Sequence, residues 1–207
     1  MYNQIYSIVN DFIKAVEQDK NFSVLLKNWN GKRGPKRKLS ITQVISLNLL
    51  RFTIHIKDLK AFHRIVKSME LLPDMPNYEN FLKASNKSFP IIALFMQLLL
   101  VQNQLQNETG LHFIDSTPIS TCLTRRIFSH KVTKEFAFRG KSTKGWFYGF
   151  KLHGVCSEKG LLESVVFTSG NINDSKMVEQ VTKNMKCRFF CDAGYLKKTK
   201  ELIELAK

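Results

Sequence analysis

Gly110-Leu-His-Phe-Ile-Asp115-Ser-Thr-Pro-Ile-Ser120 is where this sequence changes character. Before it, apolar residues recur at helical spacing with no alternating pattern. From it onward, β-branched and aromatic residues fill short runs bounded by glycine and polar turns. The stretch reads as a strand opened by Gly110, with Asp115 set directly after Phe113 and Ile114. A carboxylate in such apolar company carries a heavy desolvation cost unless something holds it.

Outward toward the C-terminus, residues 121–148 read as a basic loop with seven cations and one acid. Arg125, Arg126, Lys131, Lys134, Arg139, Lys141 and Lys144 alternate there with Phe128, Phe136, Phe138, Trp146 and Phe147. Most of these aromatics are expected to pack the insertion against the sheet. Two hairpin strands should follow, Gly149 to Cys156 and Leu161 to Thr168, joined by the turn Ser157-Glu-Lys-Gly160. Asp174 or Ser175 is placed to cap a helix over about 176–184, although metal ligation is the other role open to Asp174. Cys187-Arg-Phe-Phe-Cys-Asp192 reads as a short buried strand, and Gly194 as the turn into a last helix from about Lys197. The element order is β, β, β, α, β, α.

Outward toward the N-terminus, residues 1–107 read as helical: Ile5, Ile8, Val9, Phe12, Ile13 and Val16 fall on one stripe. The basic loop Gly31-Lys-Arg-Gly-Pro-Lys-Arg-Lys38 precedes Ser40-Ile-Thr-Gln43, where Ser40 can cap a helix and Gln43 can reach back in a capping box. That helix should run from about Ile41 to about Ile56. Lys57-Asp58 breaks it, Leu59, Phe62, Ile65, Val66 and Met69 stripe the next one, and Pro73 and Pro76 end it. Two helices behind a cationic loop suggest a helix-turn-helix-like DNA reader, with Lys57, Lys60, Arg64 and Lys67 near phosphates. A helical bundle with a charged outer face gives the same pattern.

Composition agrees with a polyanionic partner. The chain has 207 residues, 43% of them hydrophobic, enough to fill a real core. Its 32 Lys and Arg against 17 Asp and Glu give +15. The excess is +7 over residues 1–110 (15 minus 8) and +8 over 111–207 (17 minus 9), so both halves are basic. Nucleic acid or an anionic membrane surface would answer such a field. Asp11, Glu17 and Asp19 interrupt any signal-peptide core. The run Ile91 to Val101 falls well short of the ~20 residues that cross a bilayer, and reads as a buried helix. Cys122, Cys156, Cys187 and Cys191 form no CxxC pair, which indicates reduced thiols rather than a zinc knuckle or a disulfide framework.

Three antiparallel strands, a helix and a fourth strand, with one acid in the first strand and another ending the fourth, is the order of an RNase H-like sheet. There the fourth strand lies beside the first, so Asp115 and Asp192 would approach across 77 residues of chain (192 minus 115). Two divalent ions about 3.5–4 Å apart can drive an in-line phosphoryl displacement, and hard Mg2+ prefers carboxylates and water. Taken singly, Asp115 also reads as a turn or capping acid before Ser116 and Thr117, and Asp192 as the start of an Asp-x-Gly turn.

Phe113-Ile-Asp-Ser-Thr117, Arg125-Arg-Ile-Phe-Ser-His-Lys131, Arg139-Gly-Lys-Ser142, Gly145-Trp-Phe-Tyr-Gly-Phe-Lys-Leu-His153, Thr168-Ser-Gly-Asn-Ile-Asn-Asp174 and Asp192-Ala-Gly-Tyr195 occur in the order and spacing of one group of bacterial insertion-sequence DDE transposases. Ile5-Tyr-Ser-Ile-Val-Asn-Asp-Phe12 and Lys38-Leu-Ser40 resemble that group's helical region, so the likeness covers nearly the whole chain.

The resemblance implies an all-α domain at 1–107, helix-turn-helix-like and DNA-binding. It is followed at 108–207 by an incomplete RNase H-like α/β domain with four of five core strands and a basic insertion at 121–148. It also implies that Asp115 and Asp192 are the first two acids of the DDE triad, catalytic and metal-binding, with Mg2+ or Mn2+ as cofactor. The family's third acid, a Glu beyond a fifth strand, has no counterpart: Glu201 and Glu204 come too early, so the chain is expected to be truncated or frameshifted. Ala193 stands where many relatives carry Lys.

Expected DNA contacts are Lys32, Arg33, Lys36, Arg37 and Lys38 in the first basic loop and Arg125, Arg126, Lys131, Arg139 and Lys141 in the second. His130 and His153 are expected to be structural rather than DNA-contacting. The implied function is metal-dependent cleavage and strand transfer at double-stranded element ends and target DNA, by a homodimer or larger assembly in the bacterial cytoplasm, at the nucleoid and not at a membrane. The alternative is a catalytically dead remnant that only binds DNA.

Overall fold

The computed structural model describes residues 1–30, 37–185 and 188–195. The chain divides into two compact units, Met1–Gln97 and Leu98–Lys207. The architecture is mixed α/β: a helical N-terminal region and a five-stranded mixed sheet.

In the first unit α1 (Tyr2–Gln18) buries Val9, Phe12, Ile13 and Val16, the inward part of the predicted stripe. The ring of Phe12 lies 4.9 Å from that of Phe95. After α2 (Ser23–Asn30), α3 (Ile41–Thr53) opens with the predicted capping box. The Gln43 N–H donates to Ser40 Oγ at 3.2 Å, and the Ser40 N–H donates to Gln43 Oε1 at 2.8 Å. Two orphan N–H groups at the helix start are thus satisfied locally. The helix stops at Thr53, earlier than the expected Ile56, and Asp58 then caps α4 (Leu59–Ser68) through the Ala61 N–H. Phe62, His63 and Val66 turn inward, while Lys57, Lys60, Arg64 and Lys67 are exposed.

The helix α5 (Tyr78–Leu105) extends well beyond the apolar run expected to be helical. By length and composition it is the one described helix able to cross a bilayer, a test that core helices also pass. Phe81, Ile91, Leu94 and Phe95 are buried, but Met96, Leu98 and Val101 are exposed, so the run Ile91 to Val101 is a helix buried only in part.

The sheet of the second unit is built around a long central strand. β1 (Leu111–Cys122) pairs antiparallel with β3 (Gly145–Ser157) along one edge. On the other edge of β3, β2 (Phe138–Ser142) and β4 (Leu162–Ser169) lie end to end, both antiparallel. The short β5 (Arg188–Cys191) runs parallel to β1, with Leu111 opposite Arg188 and Ile114 opposite Cys191. The order β4-β3-β1-β5, antiparallel and then parallel, is a partial RNase H-like arrangement; no fifth core strand lies among the described residues.

The strand β2 corrects the expectation of a continuous loop from 121 to 148. Its exposed residues are Phe138, Arg139 and Lys141, two of them edge-strand charges, so the hydrophobic alternation that marks a strand is hidden. A tight turn joins it to β3 at Gly145, whose φ of +110° disfavours a side chain. The backbones of β2 and β4 meet at Gly140 and Gly170, where a Cβ on Gly140 would lie 2.2 Å from the Gly170 carbonyl oxygen.

The expected helix over 176–184 is also corrected. A 3-10 turn at Asp174–Lys176 leads into one turn of helix, α6 (Val178–Val181). Asn173 rather than Asp174 or Ser175 supplies the cap, accepting from the Ser175 N–H at 3.3 Å. The last helix expected from Lys197 lies outside the described residues.

Pleating sorts the sheet into two faces. Ile114 and Val155 point into a core completed by Met177, Val178, Val181 and Tyr195. Phe113, Asp115, Thr117 and Ile119 point to the opposite, exposed face.

Candidate active site

The ladder between β1 and β5 ends with Ile114 opposite Cys191, and the next residue on each strand is an aspartate, Asp115 and Asp192. Parallel pairing therefore brings the two acids to the same rank on neighbouring strands, Asp115 within β1 and Asp192 just past the end of β5. Both are exposed. Asp115 sits opposite Gly154 of β3 and accepts its neighbour's Ser116 N–H at 2.7 Å. Among the described residues no group of three or more His, Cys, Asp or Glu converges as a metal cluster. Glu201 and Glu204 lie outside them. The donor set present is two carboxylates, the hard oxygen ligands that suit Mg2+ or Mn2+.

Beneath the pair lies a polar network that sequence reasoning missed. His153 is fully buried on β3. Its Nδ1 lies 3.1 Å from the Tyr195 hydroxyl and its Nε2 lies 3.0 Å from Thr168 Oγ1. Burial holds its imidazole below the usual pKa, with Lys151 acting in the same direction and Asp174 opposing it. Tyr195 is pushed up to about 12, chiefly by burial. Asp174 is no helix cap here: Lys151 Nζ donates to its Oδ1 at 2.9 Å and to the Ile172 carbonyl at 3.1 Å. His153 thus has the structural environment expected of it. His130 lies 2.9 Å from Thr133 Oγ1 through its Nε2.

A second buried cluster crosses β1 and β4. Glu163, fully buried, lies 2.6 Å from His112 Nδ1 through Oε2 and accepts from Asn107 Nδ2 at 2.7 Å through Oε1. The ring of His112 stacks on Phe189 of β5. Pairs 42 and 51 residues apart leave no local signature, so no sequence motif pointed to either network.

The predicted DNA contacts fall into three groups. Lys32, Arg33 and Lys36 lie outside the described residues. Arg37 and Lys38 are exposed, with the Arg37 guanidinium 4.4 Å from the centre of the Trp29 ring. Arg125, Arg126, Lys131, Arg139 and Lys141 are exposed on the insertion. Arg126 and His130 border a cleft of about 460 Å3. Arg139, Lys141, Trp146, Lys151, Asn171 and Asn173 line another, of about 390 Å3, at the β2–β4 junction.

The aromatics do not pack as expected: of those named in the insertion only Phe147 is buried, while Phe128 is 91% and Trp146 66% exposed. Phe138, Trp146 and Phe147 lie on the β2–β3 hairpin and Phe128 and Phe136 in the turns before it, and cations lie over two of the exposed rings. Arg139 is 6.0 Å from the Phe128 ring centre and Lys141 5.8 Å from that of Trp146.

Cys122, Cys156 and Cys191 are free thiols; Cys187 lies outside the described residues. Burial, with Glu163 for Cys156 and Asp192 for Cys191, raises the pKa of the latter two thiols.

Residues 105–205 match the family model described as a transposase DDE domain. No curated protein and no solved structure matches the chain.

Proposed function

For a chain whose residues 105–205 place it in the DDE transposase family, DNA-binding and generally dependent on a divalent metal, we propose the role of an insertion-sequence transposase that binds its element's terminal inverted repeats and cuts at their ends. What supports this is the parallel register of β1 and β5, which ends one residue before Asp115 and Asp192 on adjacent strands. The two carboxylates would hold Mg2+ or Mn2+. Such an ion, when bound, stabilises charge on the attacking and leaving oxygens of a phosphoryl displacement.

The remaining roles belong to the chain's own groups. The Ser116 N–H holds one oxygen of Asp115, and the other would be left to the ion. Arg125, Arg126, Lys131, Arg139 and Lys141 neutralise backbone phosphate, and the exposed Phe128 and Trp146 offer faces on which an unpaired base can stack. In the helical unit Arg37, Lys38 and the exposed cations of α4 would contact duplex DNA, in a helix-turn-helix-like mode and as part of a homodimer or larger assembly on the two element ends.

The test is cleavage. With Mn2+ and a duplex ending in the element's own terminal repeats, the purified chain should nick at the repeat boundary, and Asp115→Asn or Asp192→Asn should abolish nicking. Undiminished nicking by either variant would overturn the assignment.

A second reading, a catalytically silent protein that only occupies element ends, is favoured by one observation. Among the described residues no third ligand joins the two acids. It predicts gel shifts selective for the terminal repeats with no cleavage in either metal.

A further inference from the structure

Tyr195 closes the turn that carries Asp192. Its N–H donates to the Asp192 carbonyl at 2.9 Å, across the 3-10 turn Ala193–Tyr195. Its ring is 3% exposed and belongs to the core cluster with Ile114, Val155, Met177, Val178 and Val181. Its hydroxyl lies 3.1 Å from His153 Nδ1 on β3. His153 in turn reaches Thr168 on β4 through Nε2. One arrangement of protons satisfies every member: the phenol donates to Nδ1, and Nε2–H donates to Thr168 Oγ1.

The consequence is mechanical. The last ladder pair is Ile114 and Cys191, so the spacing of the residues just beyond it depends on what anchors the turn. A phenylalanine would fill the same apolar space, yet a hydroxyl is buried here at the cost of desolvation and recovered only through His153. His153 sits on the central strand of the sheet, directly opposite Ser116, the residue after Asp115 on β1.

We propose that Tyr195, braced by His153, is a positioning residue that sets the separation of the Asp115 and Asp192 carboxylates and thereby their affinity for a divalent ion. This rests on the reading of the pair as an ion site. Groups that hold the groups touching a metal typically alter its affinity 10- to 100-fold when removed.

The experiment is a Mn2+ titration of the full chain without DNA, following the paramagnetic resonance signal of free Mn2+. Tyr195→Phe should weaken binding about 10-fold while the far-ultraviolet circular dichroism spectrum stays that of the parent. Asp115→Asn should remove the binding. Ile45→Val, which loosens the helical core far from the pair in sequence, should leave the affinity unchanged and so separates positioning from general destabilisation. Parent-like affinity in Tyr195→Phe overturns the proposal and leaves the ion site standing. Absence of any Asp115-dependent Mn2+ binding in the parent overturns both.

Discussion

Among the described residues three buried side-chain polar atoms lack a hydrogen bond, the Tyr2 hydroxyl, the Ser46 hydroxyl and Arg51 Nε, and all three lie in the helical unit. The sheet unit buries a carboxylate and two imidazoles, Glu163, His112 and His153, and each has its partner within 2.6–3.1 Å. The helical unit holds together by apolar interdigitation along stripes, with Val44, Ile45, Leu47, Phe62 and Phe81 almost inaccessible to solvent, and this leaves room for a few orphaned groups. Among the described residues the sheet unit has none, and its buried polar groups link strands distant in sequence.

Five substitutions test that contrast. Glu163→Ala leaves His112 and Asn107 without their buried acceptor, and each buried polar group left unsatisfied typically costs about 1–3 kcal/mol. Urea denaturation followed by circular dichroism should show a loss of that order, and a loss below about 1 kcal/mol would mean that the cluster is incidental to the sheet unit.

The two units also carry one tyrosine each whose hydroxyl is pushed up to about 12, Tyr2 and Tyr195, mainly by burial in both cases. Their truncations should differ. Tyr195→Phe strands His153 Nδ1 and should cost about 1–3 kcal/mol, whereas Tyr2→Phe removes an orphaned group and should be neutral or slightly stabilising. Equal losses in the two variants would erase the distinction between the units.

His153 gives the pH dependence. Its folded pKa is lowered, so below the ordinary histidine value of about 6.5 the unfolded chain takes up a proton that the folded chain refuses. Its contribution is therefore complete above that value and is lost as pH falls through it, at no more than about 1.4 kcal/mol per pH unit. Denaturation midpoints at pH 7.5 and 5.5 should converge in His153→Gln relative to the parent; an unchanged difference would remove His153 from the account.

The smallest effect belongs to the helical unit's start signal. Ser40→Ala should cost ~1 kcal/mol, measured as a shift in thermal midpoint, and should not alter Mn2+ binding.

Local chemistry was readable from local residues. The capping box at Ser40 and Gln43 needs only a four-residue window, and the structure contains it. The turn Ser157–Gly160 and the strands on either side of it likewise lie within a residue or so of their expected bounds, apart from the early start of β3. The strand β2 was missed because charges occupy its exposed positions, although the polar pair Thr143-Lys144 before Gly145 was a usable hairpin signal. The short α6 was overestimated because Asn173, Asp174 and Ser175 all favour caps, and several such residues in a row favour a turn as readily as a helix start.

By itself the sequence determined the helix-to-sheet order, the basic character of both halves and Asp115 as an acid at the edge of an apolar run. Those properties depend on neighbours in the chain and on composition. Only the tertiary structure decided that Asp115 and Asp192 share a rank, that Asp174 pairs with Lys151, and that Tyr195 and His153 join the turn to the sheet. Each of these depends on register between strands distant in sequence, and a shift of one residue would send every side chain to the opposite face.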